Sequence, residues 1–282
     1  MNLHGRWRKF VNAFMLGLAA LFAVATVSVL FFILGYLVYH GGKNVNWDFF
    51  TRLPAPVGEP GGGMANAIVG TVRLLFVALL IGAPVGILSG IYLSEFGGKV
   101  PSFLVRYTAD LLNGVPSIVI GIFAYAVIVM RARHFSTLAG GFALGVMMIP
   151  IIVRSTEQFL KAVPRPLREG AMALGASKWR TILTVVFPAA ASGIIAGTML
   201  ALARIAGETA PLLFTAFSNR YWSPGFNQPV ASLPVMIYTY AIGPYKDWHE
   251  QAWTAGLVLL GLVLVLNVTT RLVFARKTAA FR

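Results

Sequence analysis

The chain has 282 residues, 57% hydrophobic and 11% charged, with a mean hydropathy of +0.76. Soluble domains carry about 25% charged residues, so the composition excludes an ordinary soluble enzyme and marks a polytopic membrane protein. Cysteine is absent and the formal net charge is +14, which excludes disulfides, thiolate metal sites and cysteine nucleophiles and leaves the source of the charge to be explained.

Crossing roughly 30 Å of hydrocarbon takes about 20 apolar residues in a helix. The first such run is Phe14–Tyr39, preceded by Arg6, Arg8 and Lys9. It resembles the start of a signal peptide but is too long for one, and is expected to be retained as a span. A loop follows over 40–67 with a flexible GEPGGG run, then spans at Ile68–Tyr92, Leu111–Met130 and Leu138–Val153, the last of these short. A polar stretch over 154–181 leads to a fifth span, Ile182–Ala206, then a loop over 207–251 and a sixth span, Ala252–Phe274. Neither loop is large enough to fold as an enzyme domain, so residues 1–282 are expected to form one transmembrane domain.

Lysine and arginine orient the spans, because short cytoplasmic loops collect them. Segments 6–9, 99–106, 154–180 and 271–282 together hold fifteen, whereas the opposite side holds Lys43, Arg52, Arg131, Arg133, Arg220 and Lys246. Both termini are therefore expected in the cytoplasm, and the charge is expected to meet anionic lipid headgroups. Dispersal over four segments argues against nucleic acid.

Motifs for catalysis are missing. The sequence has no G-x-x-x-x-G-K-[ST] phosphate loop, no H-E-x-x-H and no G-x-S-x-G turn. His4, His40, His134 and His249 are scattered at span ends or in loops and are read as interfacial, so no metal site is expected. If the protein works against a gradient, nucleotide hydrolysis belongs to another subunit.

The polar stretch at Arg168–Ala190, REGAMALGASKWRTILTVVFPAA, is the most distinctive. Pro166 suits a first helical position, Glu169 is expected in the first turn near the positive end of the helix dipole, and Gly175 suits the residue just past the end. Small residues Gly170, Ala171 and Ala173 allow close approach by another surface, while Met172 and Leu174 supply apolar knobs. So short a helix is unstable alone in water and needs a partner. A membrane-surface helix, favoured by Trp179 with Lys178 and Arg180, is the alternative.

At the end of the fifth span, ALARIAGETAPLLFTAF, Arg204 and Glu208 are four apart and share a face if the helix is continuous. Arg204 falls about one turn from the periplasmic end. Either it lines a pathway, or it snorkels beside Glu208 as a local pair. Arg73, near the periplasmic end of the second span, is the other charge within a span. Gly82, Gly86 and Gly90, Gly141 with Gly145, and Gly193 with Gly197 have the spacing of close helix contacts. Pro84, Pro116, Pro150 and Pro188 are hinges or tolerated kinks. Tyr221, Trp222, Tyr238, Tyr240, Tyr245, Trp248 and Trp253 suit an interfacial belt.

Glu169, Gly170, Ala171, then Gly175, then Pro188 resembles the EAA loop of ABC-importer permeases, with Gly170 where the family has alanine, and Val185 and Phe187 where it favours Ile and Leu. In that family the loop is the coupling helix, which fits a groove of the ATPase. RIAGETAPLLFTA at 204–216, LLNGVPSIVIGIF at 111–123, NAIVGTV at 66–72 and SLPVMIYTYAIGP at 232–244 are similar to the A-type permease subunits of phosphate-specific ABC importers. Ala210, Pro211 and Leu212 after the GET tripeptide separate this chain from C-type subunits.

The resemblance implies an all-α, six-helix, MetI-like permease with a cytoplasmic coupling helix, moving inorganic phosphate into the cytoplasm. It implies a substrate path including Arg204, Glu208, Arg73 and Thr209, and ATPase contact through Glu169, Gly170, Ala171, Met172, Ala173, Leu174 and Gly175. It further implies a homologous C-type permease partner, two copies of a cytoplasmic ATPase holding ATP and Mg, and a periplasmic phosphate-binding protein, with no cofactor in this chain. A permease for phosphonate, molybdate or sulfate is the nearest alternative, and a gradient-driven carrier the more distant one.

Overall fold

Apolar segments in hydrocarbon can satisfy every backbone group within themselves only as helices or closed barrels. The computed structural model describes residues 3–279 and is built from helices, with one isolated bridge between Pro54 and Gly62 among those residues. In chain order these are α1 (Leu3–Gly42), α2 (Trp47–Thr51), α3 (Ala65–Glu95), α4 (Lys99–Gly114) and α5 (Ser117–Ala124). A π turn at Tyr125–Val129 continues α5 into α6 (Met130–Ala132), followed by α7 (Thr137–Lys161), α8 (Arg165–Ala173) and α9 (Lys178–Thr181). A second π turn at Ile182–Val186 leads into α10 (Phe187–Ile205), and α11 (Ala210–Thr215), α12 (Leu233–Ala241) and α13 (Lys246–Ala279) complete the described chain.

Five of these runs are long and apolar enough to cross a membrane, and a sixth crossing exists if the pair α4 and α5–α6 counts as one. That pair departs from the straight span expected at Leu111–Met130, because the two halves meet at 103°. Pro116 is the cause. It offers no N–H and drives the residue before it out of the helical region, and Val115 has φ −70° and ψ 130°. Pro84 and Pro150, by contrast, sit inside continuous helices. The short fourth span is also longer than expected, since α7 runs on to Lys161 from an N-cap at Ser136, whose side chain accepts from the Ala139 N–H at 3.1 Å.

The centre of the molecule is the α3–α7 pair, which packs more extensively than any other two elements. Lipid tails supply no hydrophobic force between helices, so small residues that let backbones close together do this work. A Cβ placed on Gly82 would lie 2.8 Å from the Gly145 carbonyl oxygen, and one on Gly86 2.6 Å from the Ile152 Cβ. Gly193 and Gly197 likewise admit Phe159 and Ser155 of α7 against α10. Leu74, Leu144, Met148, Ile152, Ile205 and Leu212 fill the resulting core. Helix α1 stands apart: its most apolar stretch is not buried by this chain, and it touches α13 where Gly41 meets Trp253 and Leu257.

Candidate functional site

Two surfaces carry the chemistry. The first forms where α4 and α5 break. Helix α10 ends at Ile205, with Ala206 as its C-cap, so Arg204 lies in its last turn and points to the exposed side of the fold. There its Nη1 donates to the Oδ1 of Asn113, 3.1 Å away in the last turn of α4.

The shared face expected for Arg204 and Glu208 does not form. The helix stops before Glu208, whose N–H turns back to the Ile205 carbonyl at 3.1 Å. Among the described residues no ion pair joins the two side chains. Thr209 caps the next short helix through its carbonyl, which accepts from Leu212 and Leu213 at 3.1 and 3.3 Å. Arg73 is half-buried and donates to the Ser223 carbonyl at 2.7 Å, with Phe226 beneath its guanidinium. It therefore pins the loop between α11 and α12, while Arg204 reaches α4.

Residues that sequence reasoning passed over connect Arg204 through α4 to the far half of α7. Arg106, Asp110 and Asn113 are spaced four and three apart and occupy one face of α4. Asn113 meets Arg204, Asp110 accepts a two-point contact from Arg154 of α7, and Arg106 donates twice to Glu157 of α7 at 2.9 and 2.6 Å. Glu157 is 5% exposed and also accepts from Lys161 at 2.6 Å. A carboxylate so enclosed requires this many donors to offset its lost hydration. A signal existed: Asp110 and Glu157 are two of only nine acids in the chain. Reading the apolar span from Leu111 onward cut the amphipathic face of α4 in half.

The second surface is α8. Pro164 caps its start in an extended conformation, Arg165 is the first helical residue and Pro166 the second. Glu169 is consequently the fifth residue, beyond the first turn, and the expected help from the helix dipole falls away with distance. The predicted stop is present. Gly175 has φ +85°, its N–H reaches the Met172 carbonyl at 2.9 Å, and the Ala176 N–H reaches that of Ala171 at 3.2 Å, the paired bonds of a Schellman ending. Leu167, Met172 and Leu174 remain outside, Leu174 at 90% exposure.

Over residues 82–278 the sequence matches the family described as binding-protein-dependent transport system inner membrane component. The chain belongs to that family. It is 44% identical over 279 residues to the phosphate transport system permease protein PstA of Haemophilus influenzae, covering 98% of each chain. Identity to PstA of Yersinia pestis is 43%, covering 96% of this chain and 92% of that one. PstA 1 of Mycobacterium tuberculosis H37Rv is 36% identical over 75% of this chain and 70% of its own length.

Among solved structures, the permease resembles a chain of the MetNI methionine ABC transporter in inward-facing form, with TM-score 0.58 and 21% identity, covering 76% of this chain and 94% of that one. A chain of a bacterial alginate ABC transporter gives TM-score 0.65 at 15% identity, covering 92% and 95%. At these identities the likeness is one of fold, and the fold is that of ABC-importer permeases. The protein is thus a multi-pass membrane transport subunit with the MetI-like helical core.

Proposed function

We propose that this permease forms half of the path by which an ATP-driven importer moves inorganic phosphate from the periplasm into the cytoplasm. The observation that carries this reading is Arg204, held at the helix break by Asn113 on the exposed side of the fold, in a chain 44% identical to a PstA permease. A guanidinium offers fixed, fork-like donors to an oxyanion. Its exposure in a single chain fits closure of the path by a homologous C-type permease. Glu208 and Thr209, in the turn just past Arg204, would border the path; Arg73 serves it indirectly, by holding the periplasmic loop.

Hydrolysis takes place elsewhere in this reading: two copies of a cytoplasmic ATPase, binding ATP and Mg, engage residues 169–175. The exposed apolar side chains of Met172 and Leu174 on a helix that leaves the membrane core support that assignment. A periplasmic phosphate-binding protein delivers the cargo, and the distribution of lysine and arginine supports cytoplasmic termini.

The test is uptake of radiolabelled phosphate by proteoliposomes holding the assembled complex, the binding protein and internal ATP. Uptake by wild type, lost in Arg204→Gln with unchanged subunit content, is expected. Normal uptake in that variant removes Arg204 from the path, and ATPase stimulation by a sulfate- or molybdate-loaded binding protein in place of the phosphate-loaded one reassigns the cargo.

A further inference from the structure

We infer that Arg168 is a positioning residue that fastens the ATPase-facing helix to the membrane core, so that movement of α8 is transmitted to α3 and α7 together. This rests on the reading that α8 docks an ATPase. While Leu167, Met172 and Leu174 face outward, Arg168 turns inward and is 18% exposed. Its Nη1 donates to the carboxylate of Glu95, the last residue of α3, which is 7% exposed, and its Nη2 donates to the Leu160 carbonyl near the end of α7 at 2.5 Å. One side chain on α8 therefore holds the cytoplasmic ends of two long helices at once.

The attachment sits where it can act. Leu160 belongs to a core cluster with Ile91 of α3 and Ile182 and Val186 of the second π turn, and above it runs the close α3–α7 contact, Gly90 against Thr156 and Gly86 against Ile152. Tightly packed helices pass on displacement because their interface has little room to deform. Lys178 adds a lateral hold from the far side of Gly175, donating to the Glu95 carbonyl at 2.5 Å with its ammonium 4.5 Å from the Phe96 ring centroid. Besides Arg168, α8 is joined through the bend at Pro164, the left-handed turn at Gly175 and its packing on the second π turn, whereas Arg168 bonds directly to α3 and α7.

A purely architectural ion pair and a transmitting one differ in a ratio. In reconstituted full complexes with phosphate-loaded binding protein, phosphate taken up and ATP hydrolysed are measured on the same preparation. Arg168→Gln is expected to keep ATP hydrolysis within about twofold of wild type and to lower phosphate carried per ATP by about tenfold. Glu95→Gln, which leaves α8 untouched, is expected to do the same, and decides the matter if Arg168→Gln fails to assemble. Arg168→Glu combined with Glu95→Arg should recover part of the ratio, because the exchanged carboxylate cannot donate to the Leu160 carbonyl. An unchanged ratio in Glu95→Gln, or hydrolysis and uptake falling in proportion in both single variants, overturns the proposal. Crosslinking from Ala171 of wild type tests the underlying reading separately: if it captures no ATPase, that reading fails, whatever the ratio.

Discussion

Arg204 and Asn113 lie 91 positions apart in sequence and meet at 3.1 Å across the break between α4 and α5. The contact aims a flexible cation. An arginine carries about 2 kcal/mol of rotamer entropy, and a fixed amide oxygen in the last turn of a neighbouring helix removes part of it. Replacing Asn113 with leucine keeps the branched shape of the side chain and deletes the acceptor. A hydrogen bond to a charged group is worth about 1.5–3 kcal/mol when sheltered and less when exposed, so phosphate uptake in proteoliposomes should fall about three- to tenfold with subunit content unchanged. Uptake at the wild-type rate would show that Arg204 does not depend on Asn113.

Glu157 is enclosed by Arg106 and Lys161, with Arg154 3.8 Å away. Glu157→Gln removes the charge those cations share and leaves Arg106 facing a neutral amide. Breaking a buried pair from one side costs about 3–5 kcal/mol, and the partial exposure of Arg106 and Lys161 lowers this to about 2 kcal/mol. Thermal unfolding of the detergent-purified permease should therefore shift downward by several degrees. Lys161→Ala, which removes a half-exposed partner, should shift it by less than a degree or two.

Two glycines should respond in opposite ways. Gly86→Val would drive a side chain into Ile152, where even a Cβ falls at 2.6 Å, and is expected to prevent accumulation of folded protein. Gly170 has open space around it, and alanine there raises helix propensity by about 1 kcal/mol. Gly170→Ala should keep membrane yield and uptake at or above wild-type levels. Immunoblots of membrane fractions, paired with uptake, distinguish the two results.

Features that depend on neighbouring residues are legible in the amino-acid order alone. The apolar runs, the glycine spacings along α3 and α7, and the end of α8 at Gly175 all follow from helix periodicity and local backbone preference. The family likeness is legible for the same reason, being carried by short contiguous motifs. Local readings fail where a helix ends or begins elsewhere: Glu208 lies past the end of α10, Glu169 beyond the first turn of α8, and the spans expected at Leu111–Met130 and Leu138–Val153 are part of a bent pair and of a longer helix.

Composition and period by themselves determined that this chain is a bundle of membrane helices with its polar work confined to a few charged positions. Tertiary structure alone decided which charge meets which. Arg204 with Asn113, Arg106 with Glu157, and Arg168 with Glu95 join residues 91, 51 and 73 positions apart, separations over which sequence spacing carries no geometric information. The physical reason is the cost of an isolated charge away from water: each must find a partner, but the partner is whichever helix the packing of α3, α7 and α10 brings within reach. The 103° turn at Val115 and Pro116 belongs to both levels, since proline breaks the helix locally and the bundle sets where the next one goes.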